Sequence, residues 1–362
     1  MKLIKLFDPV FDKNEERAIM RTIQSGFWAS GAGTGQVEKF ETKFKKYTGA
    51  DYCIAVNSGT AALHLAFSLF DIKDKEVILP SLSFVSTAHA IIYNGGRPVF
   101  ADVYKNTLCI DPEDVKKKIT KKTKLIVPVH FGGLISNFKE LLNIANKNSI
   151  NLVDDAAHAA GAKYKGRRIG SIGDVTCFSF HPVKNLAMPS GGLIALNKKN
   201  SKQDESILKS LRWCGISNRK EYNYDVNRLG WNYYMNEFSA AIGIEQLKKL
   251  DNSNKSRFKI ANEYYQNIHL ENKMPLTKGC SYHLYWILVK DRNKFMKKMR
   301  ENNIETGIHY LPIHKMKFYN SNTKLEITEQ ITKKVVSLPI HPNLTDSDID
   351  KIIKLTNRFA KN

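Results

Sequence analysis

The sequence predicts an α/β protein: a large domain around a mostly parallel seven-stranded sheet, then a smaller C-terminal α/β domain. Three observations carry that expectation. Short apolar runs alternate with helical patterns through the first two-thirds of the chain, the rhythm of strands joined by crossover helices. From about Trp231 the pattern changes to a long helical stretch and a shorter α/β series. The 362 residues, 42% hydrophobic and 25% charged, suffice for two units and exclude a disordered, collagenous or coiled-coil chain.

The seven candidate strands are Tyr52–Val56, Glu76–Leu79, Arg97–Phe100, Leu125–Val129, Asn151–Val153, Val175–Phe180 and Gly192–Leu196. Ala61–Phe70 and Phe138–Asn148 read as helices between them. Beyond Trp231 come helical Asn236–Leu250 and Ser253–Asn267, then Tyr285–Val289, Arg292–Asn302 and Asp346–Ala360. A boundary near residue 250 divides the chain into residues 1–250 and 251–362. Gly31, Gly33 and Gly35 follow no convincing strand and lack the GxGxxG spacing, so they read as a flexible segment.

Composition narrows the partners. The net charge of +21 favours polyanions in principle, whether nucleic acid, anionic lipid or phosphorylated metabolites. The basic residues are mostly dispersed lysines, with short clusters at Lys116–Lys118 and Lys121–Lys124 that read as solvated helix faces. No RNP aromatic pattern, zinc finger or basic region leading into heptads accompanies them, so no nucleic-acid partner is expected. Asp8 and Asp12 interrupt the start where a signal peptide needs an apolar core. The longest uncharged run, Val77–Gly96, contains Pro80, His89 and Asn94 and reads as strand, turn and helix; no membrane partner is expected. Cys53, Cys109, Cys177, Cys214 and Cys280 are odd in number and lack a CxxC pair. That argues against a disulfide framework or a metal site and for the reducing cytoplasm.

The chemically informative segments sit where strands stop, which is where open α/β sheets place ligands. After Tyr52–Val56 comes Asn57-Ser58-Gly59-Thr60-Ala61. Gly59 permits a tight turn, and a helix start beside the Ser58 and Thr60 hydroxyls makes a phosphate cup. An ordinary helix cap is the alternative. After Asn151–Val153 comes the acidic pair Asp154-Asp155, costly to bury unless something cationic meets it. Alternation leaves one carboxylate on each side, with Asp155 toward the site. A protonated heterocyclic nitrogen or a buried arginine would satisfy it. His158, three residues on, is placed on the same helical face, either as a site residue or as a satisfied interior histidine. After Val175–Phe180, Lys184 stands alone among apolar residues, a setting that lowers a lysine pKa and suits a Schiff-base nucleophile and proton shuttle. A surface-loop lysine is the alternative. Ser179 adds a hydroxyl to the cup. Together the three strand ends supply what pyridoxal phosphate demands: an anion cup, a carboxylate for the ring nitrogen and an amine for the aldehyde.

Over nearly its whole length the chain resembles the DegT/DnrJ/EryC1/StrS family, pyridoxal-phosphate aminotransferases that act on nucleotide-linked keto sugars. The landmarks are NSGTAAL (57–63), ILPSLSFVSTAHAI (78–91), GGRPVFADV (95–103), IVPVHFGG (126–133), VDDAAHAAGA (153–162) and FSFHPVKNL (178–186). GWNYYMNEFSAAIG (230–243), TGIHYLPIH (306–314) and SLPIHPNLTD (337–346) follow.

The resemblance implies an aspartate-aminotransferase-like fold of type I and pyridoxal 5′-phosphate as cofactor. It implies that Lys184 makes the Schiff base, that Asp155 holds the pyridine nitrogen and that His158 lies beside the ring oxygen. Phe84 matches the stacking aromatic, and Thr60, Ala61 and Ser179 match phosphate contacts. Asn232 matches an asparagine that reaches the phosphate from a neighbouring subunit, which implies a homodimer with shared active sites. His309 and Tyr310, in GIHY, are candidate contacts to the nucleotide-sugar. The implied reaction moves an amino group from L-glutamate, leaving 2-oxoglutarate, to a nucleotide-diphosphate keto sugar. A 4-keto-6-deoxy acceptor is the expectation, in amino-sugar or surface-glycan (lipopolysaccharide O-antigen) biosynthesis. The family includes dehydratases with histidine in place of the lysine; Lys184 is intact here and favours transamination. Two departures stand out: Ala187-Met188-Pro189-Ser190-Gly191-Gly192 where the family often reads TTGEGG, and Tyr234 where arginine is common.

Overall fold

Seven strands form one sheet in the order 52–56, 192–196, 175–179, 151–155, 123–126, 76–80 and 97–101, in a computed structural model that describes residues 2–198, 200–319 and 321–360. The five strands from 175–179 to 97–101 run parallel, while Gly192–Leu196 lies antiparallel to both of its neighbours. The expected mostly parallel sheet is therefore present, and the strand positions agree with the sequence reading to within a few residues.

Period-two alternation sorts the strand side chains between the two faces of the sheet. Ile54, Val56, Val175, Cys177, Ile194 and Leu196 pack on one face with Leu63, Ala66 and Phe67 of the helix Gly59–Phe67. Cys53, Ala55, Phe178, Leu193 and Ala195 pack on the other with Phe40 and Phe44 of the helix Gln36–Thr48. The Phe44 and Phe178 rings meet edge to face at 5.1 Å. Burying each such ring contributes about 1.5–3 kcal/mol, and Phe178→Ala would cost about 3–5 kcal/mol through the cavity it leaves.

Three local expectations are corrected. The helix expected over Ala61–Phe70 runs from Gly59 to Phe67, and residues 68–70 tighten into a 3₁₀ turn. The two helical stretches around residue 250 are one continuous helix, Glu237–Asn267, capped by Asn236, whose side chain accepts the Ser239 N–H at 2.8 Å. The Asp251–Asn254 run has low helix propensity because such side chains compete for the backbone. Here they are engaged elsewhere: Asp251 pairs with Arg168 at 2.7 Å and accepts from Tyr47 at 2.6 Å, and Asn254 donates to the Ala160 carbonyl at 3.0 Å. The glycines of residues 31–35 are not a loose segment either. Gly31 backs onto the Trp213 ring, and Gly33, at φ 71°, backs onto Arg212, which donates to the Ala32 carbonyl at 3.0 Å. No side chain would fit at either place.

Arg212 also anchors the sheet. It is fully buried, pairs with Glu41 at 2.5 Å and donates to the Ala55 carbonyl at 2.9 Å, while Glu41 accepts the Ala55 N–H at 2.8 Å. The helix Gln36–Thr48 is thereby fixed to the edge strand.

The C-terminal part is built on the antiparallel pair Tyr285–Leu288 and Val335–Leu338, with helices Arg292–Glu301 and Asp346–Phe359. Its core includes the buried rings of Tyr264, Tyr282, Tyr285 and Trp286, and Ile4, Leu82 and Val103 join it. Among the described residues no helix is long and apolar enough to cross a membrane, no cluster of three metal-ligating side chains occurs, and all five cysteines are free thiols.

Candidate active site

The three strand ends converge on one cavity of about 390 Å³. Ser58, Gly59, Thr60, Phe84, Asp155, His158, Ser179, Lys184, His309 and Tyr310 all line it. Ala61 and Asn232 do not. Ala61 is buried, and its N–H goes to the Ser58 hydroxyl at 3.1 Å. Asn232 is exposed beside Asn57, whose side-chain amide donates to its carbonyl at 3.4 Å.

The helix Gly59–Phe67 enters the cavity at its N-terminus. Ser58 caps the helix through its hydroxyl and also lines the cavity. The N–H groups of Gly59 and Thr60, the first two of the helix, have no acceptor among the described residues, and the helix dipole adds positive potential there. A Cβ on Gly59 would fall 2.7 Å from that of Ser179, so only glycine lets the turn lie against the serine. The Thr60 and Ser86 hydroxyls share a hydrogen bond of 2.8 Å at the rim.

Alternation in the strand Asn151–Asp155 splits the acidic pair as expected. Asp154 faces the buried His130 at 3.7 Å, away from the cavity. Asp155 accepts the Thr87 hydroxyl at 2.7 Å and the Ala157 N–H at 3.1 Å. Burial pushes its carboxyl above the usual range, opposed by those two hydrogen bonds and by the charge of Lys184. A cation against the free edge of this carboxylate would be strongly favoured.

Lys184 follows the strand Val175–Ser179 in a turn closed by its own N–H to the His181 carbonyl at 2.8 Å. Burial pushes its amine down to about 8, with Asp155 pulling the other way. A substantial neutral fraction near neutral pH is the requirement for a nucleophilic lysine.

His158 sits in a turn, which corrects the helical face expected for it. It still reaches the cavity, because the turn returns across Gly132, whose N–H meets His158 Nδ1 at 3.3 Å. Nδ1 is thus an acceptor, so Nε2 carries the hydrogen and donates to the Tyr310 hydroxyl at 3.0 Å. Burial, then the charges of Lys184 and His309, hold the ring neutral. His309 Nδ1 lies 2.9 Å from the Ser337 hydroxyl, and burial with the charge of Lys184 pushes it down to about 4. Phe84, more than half exposed, stands at the mouth with its ring 6.0 Å from that of Tyr310.

The departing Ala187–Gly192 segment packs rather than gaping. Met188 is buried and its N–H reaches the Phe180 carbonyl at 2.8 Å, which brings Ser190 and Gly191 to the cavity wall. Several residues that the sequence reading gave no role also contribute. Phe7, Asn57, Ser86 and His181 line the cavity, Thr87 holds Asp155, and His283 lies behind Lys184 at 3.5 Å. Thr87 had a signal, a hydroxyl in the first turn of the helix after Phe84. Phe7 and His283 had none, because each comes from a distant part of the chain.

A sequence profile of the DegT/DnrJ/EryC1/StrS aminotransferase family matches residues 9–356. The chain is 34% identical to the spore coat polysaccharide biosynthesis protein SpsC of Bacillus subtilis, across 98% of this chain and 96% of that protein. The PMP form of Spr1654 from Streptococcus pneumoniae, provisionally assigned as a sugar aminotransferase, superposes with a TM-score of 0.94 at 26% identity, covering 99% of this chain and 98% of that one. Spr1654 has also been solved in a PLP form. PseC of Helicobacter pylori, an aminotransferase involved in pseudoaminic acid biosynthesis, gives a TM-score of 0.92 at 25% identity, covering 99% and 100%. The chain belongs to the DegT/DnrJ/EryC1/StrS aminotransferase family and is a pyridoxal-phosphate-dependent sugar aminotransferase.

Proposed function

We propose that the enzyme transfers an amino group from L-glutamate to a nucleotide-linked keto sugar, with a 4-keto-6-deoxy sugar as acceptor. One observation carries the assignment of the site: the Lys184 amine, pushed down to about 8, shares a cavity with the buried Asp155 carboxylate and the N-terminus of the helix Gly59–Phe67. The cradle that only Gly59 permits and the two N–H groups beside it fit a phosphate, and Asp155 fits a protonated ring nitrogen.

Bound pyridoxal phosphate supplies an electrophilic carbon and an electron sink for a carbanion. This chain's residues do the rest. Thr60 and Ser179 hold the phosphate with the helix start. Asp155 keeps the ring nitrogen protonated, and Thr87 and the Ala157 N–H aim its carboxylate. His158 would lie beside the ring oxygen, with Tyr310 holding its Nε2 hydrogen, and Phe84 would cover the ring. Lys184 Nζ, neutral, would take the proton from the α-carbon of the amino donor and later deliver one to the sugar carbon that receives the amino group. His309 and Tyr310 meet the sugar nucleotide, whose diphosphate is favoured by the net charge of +21.

Asn232 is exposed on its own chain, which supports a homodimer in which it completes the site of a second copy. We place the enzyme in the cytoplasm and divide it at residue 250 into a cofactor-holding part and a part that supplies His309 and Tyr310. The spore coat polysaccharide and pseudoaminic acid pathways of SpsC and PseC support a surface-glycan role.

The test is visible absorbance of the purified enzyme before and after L-glutamate, with Lys184→Ala alongside. The expected result is a band that glutamate discharges in the wild type and that has no lysine-linked counterpart in the variant. Keto-sugar nucleotides are then screened for return of the band. A band that glutamate leaves unchanged would overturn the donor, and discharge by Lys184→Ala at the wild-type rate would overturn the lysine. Return of the band only with a 3-keto isomer would overturn the acceptor.

A further inference from the structure

Behind Lys184 a chain of side-chain amides runs between two backbone carbonyls. Asn254 donates its amide N–H to the Ala160 carbonyl at 3.0 Å, which leaves its oxygen to accept from Asn185 at 2.8 Å. The same Asn185 nitrogen donates to the Ser281 carbonyl at 2.7 Å. Both anchors are backbone carbonyls, which only accept. Turning either amide over would set oxygen against oxygen, so the orientation is fixed. The Asn185 oxygen then faces His283 Nδ1 at 3.2 Å. An amide oxygen accepts, so Nδ1 carries the hydrogen, and a neutral imidazole protonated there has its lone pair on Nε2. That nitrogen faces Lys184 Nζ at 3.5 Å.

We infer that His283 is a positioning residue for Lys184, its Nε2 accepting a hydrogen bond from the amine in the tautomer that Asn254 and Asn185 impose. The inference rests on the reading of Lys184 as the group that moves the proton. An amine held by one N–H cannot rotate freely, and its lone pair is left for the cavity. The link of 3.5 Å is at the outer limit of a hydrogen bond. The ring is braced on both sides: Phe7 stacks on it with centroids 5.6 Å apart, and the His158 ring lies 4.5 Å away. It stays uncharged, because burial dominates and Lys184, His158, Arg257 and His309, the titratable groups around it, all oppose a further positive charge. A cationic His283 would have no lone pair to offer.

Two measurements on the cofactor-free protein test this without turnover. The first is a long-range proton–nitrogen NMR correlation on protein labelled with ¹⁵N-histidine, with His283 identified by loss of its signals in His283→Gln. The expected pattern is a protonated Nδ1 and an unprotonated Nε2, the latter shifting in Lys184→Ala. A ring protonated at Nε2, or cationic at neutral pH, would overturn the inference. The second is competitive acetylation of Lys184 across pH, read by mass spectrometry. In His283→Leu the midpoint moves to lower pH, because the ammonium form loses its acceptor. The plateau rate falls roughly tenfold as orientation is lost, and His283→Gln restores most of it. A His283→Leu curve that overlays the wild type would overturn the inference. Since neither readout uses the cofactor, failure here is distinguishable from failure of the glutamate half-reaction.

Discussion

Thr87 donates its hydroxyl to Oδ2 of Asp155 at 2.7 Å, with both residues buried. The contact joins the first turn of the helix Val85–Tyr93 to the end of the strand Asn151–Asp155, so the carboxylate is held by an element other than its own. Its other oxygen takes the Ala157 N–H at 3.1 Å.

Thr87→Val keeps the shape and removes the donor. A hydrogen bond to a charged group is worth about 1.5–3 kcal/mol, which corresponds to about a ten- to hundredfold loss. The glutamate half-reaction, followed by stopped-flow absorbance, is expected to slow by about that factor. An unchanged rate would show that Asp155 does not depend on Thr87.

The lowered pKa of Lys184 predicts a pH profile. Its amine, ordinarily at 10.5, is pushed to about 8 by burial. The rate at which cofactor-free enzyme takes up pyridoxal phosphate is therefore expected to rise about tenfold between pH 7 and pH 9 and then level, whereas an ordinary lysine would keep climbing. The same displacement bears on stability. Below about pH 8 the folded chain carries a charge it disfavours, and that cost is relieved as pH rises toward 10.5.

Arg212 and Glu41 form a buried pair whose loss on one side leaves the other charge stranded. Arg212→Met is expected to cost about 3–5 kcal/mol, measured by denaturant unfolding, and Arg212→Met with Glu41→Gln to recover part of it. Equal losses in the single and double variants would show that the pairing itself contributes little.

The proposed sharing of sites between subunits is checked by mixing two inactive variants, Lys184→Ala and Asn232→Ala. In a hybrid dimer one site has both residues intact, so unfolding and refolding the mixture together is expected to restore about a quarter of wild-type activity. No restoration, with hybrid dimers confirmed by mass spectrometry, would remove Asn232 from the partner's site.

Much of this was legible in the sequence, because it is local. The sheet follows from apolar runs that bury on both faces, and the placing of Lys184, Asp155 and the Ser58–Thr60 turn follows from where those runs stop. The opposed directions of Asp154 and Asp155 need only the two-residue period of a strand. The tertiary structure decided what sequence separation hides. It set His158 in a turn rather than on a helix, since Gly132 offers its N–H there. It kept Glu237–Asn267 continuous by giving Asp251 and Asn254 partners outside the helix. It put His283 behind Lys184, 99 residues away, through two amides whose orientation is fixed by backbone carbonyls. Local propensity and periodicity extend over a few residues, whereas those contacts exist only once the chain has closed on itself.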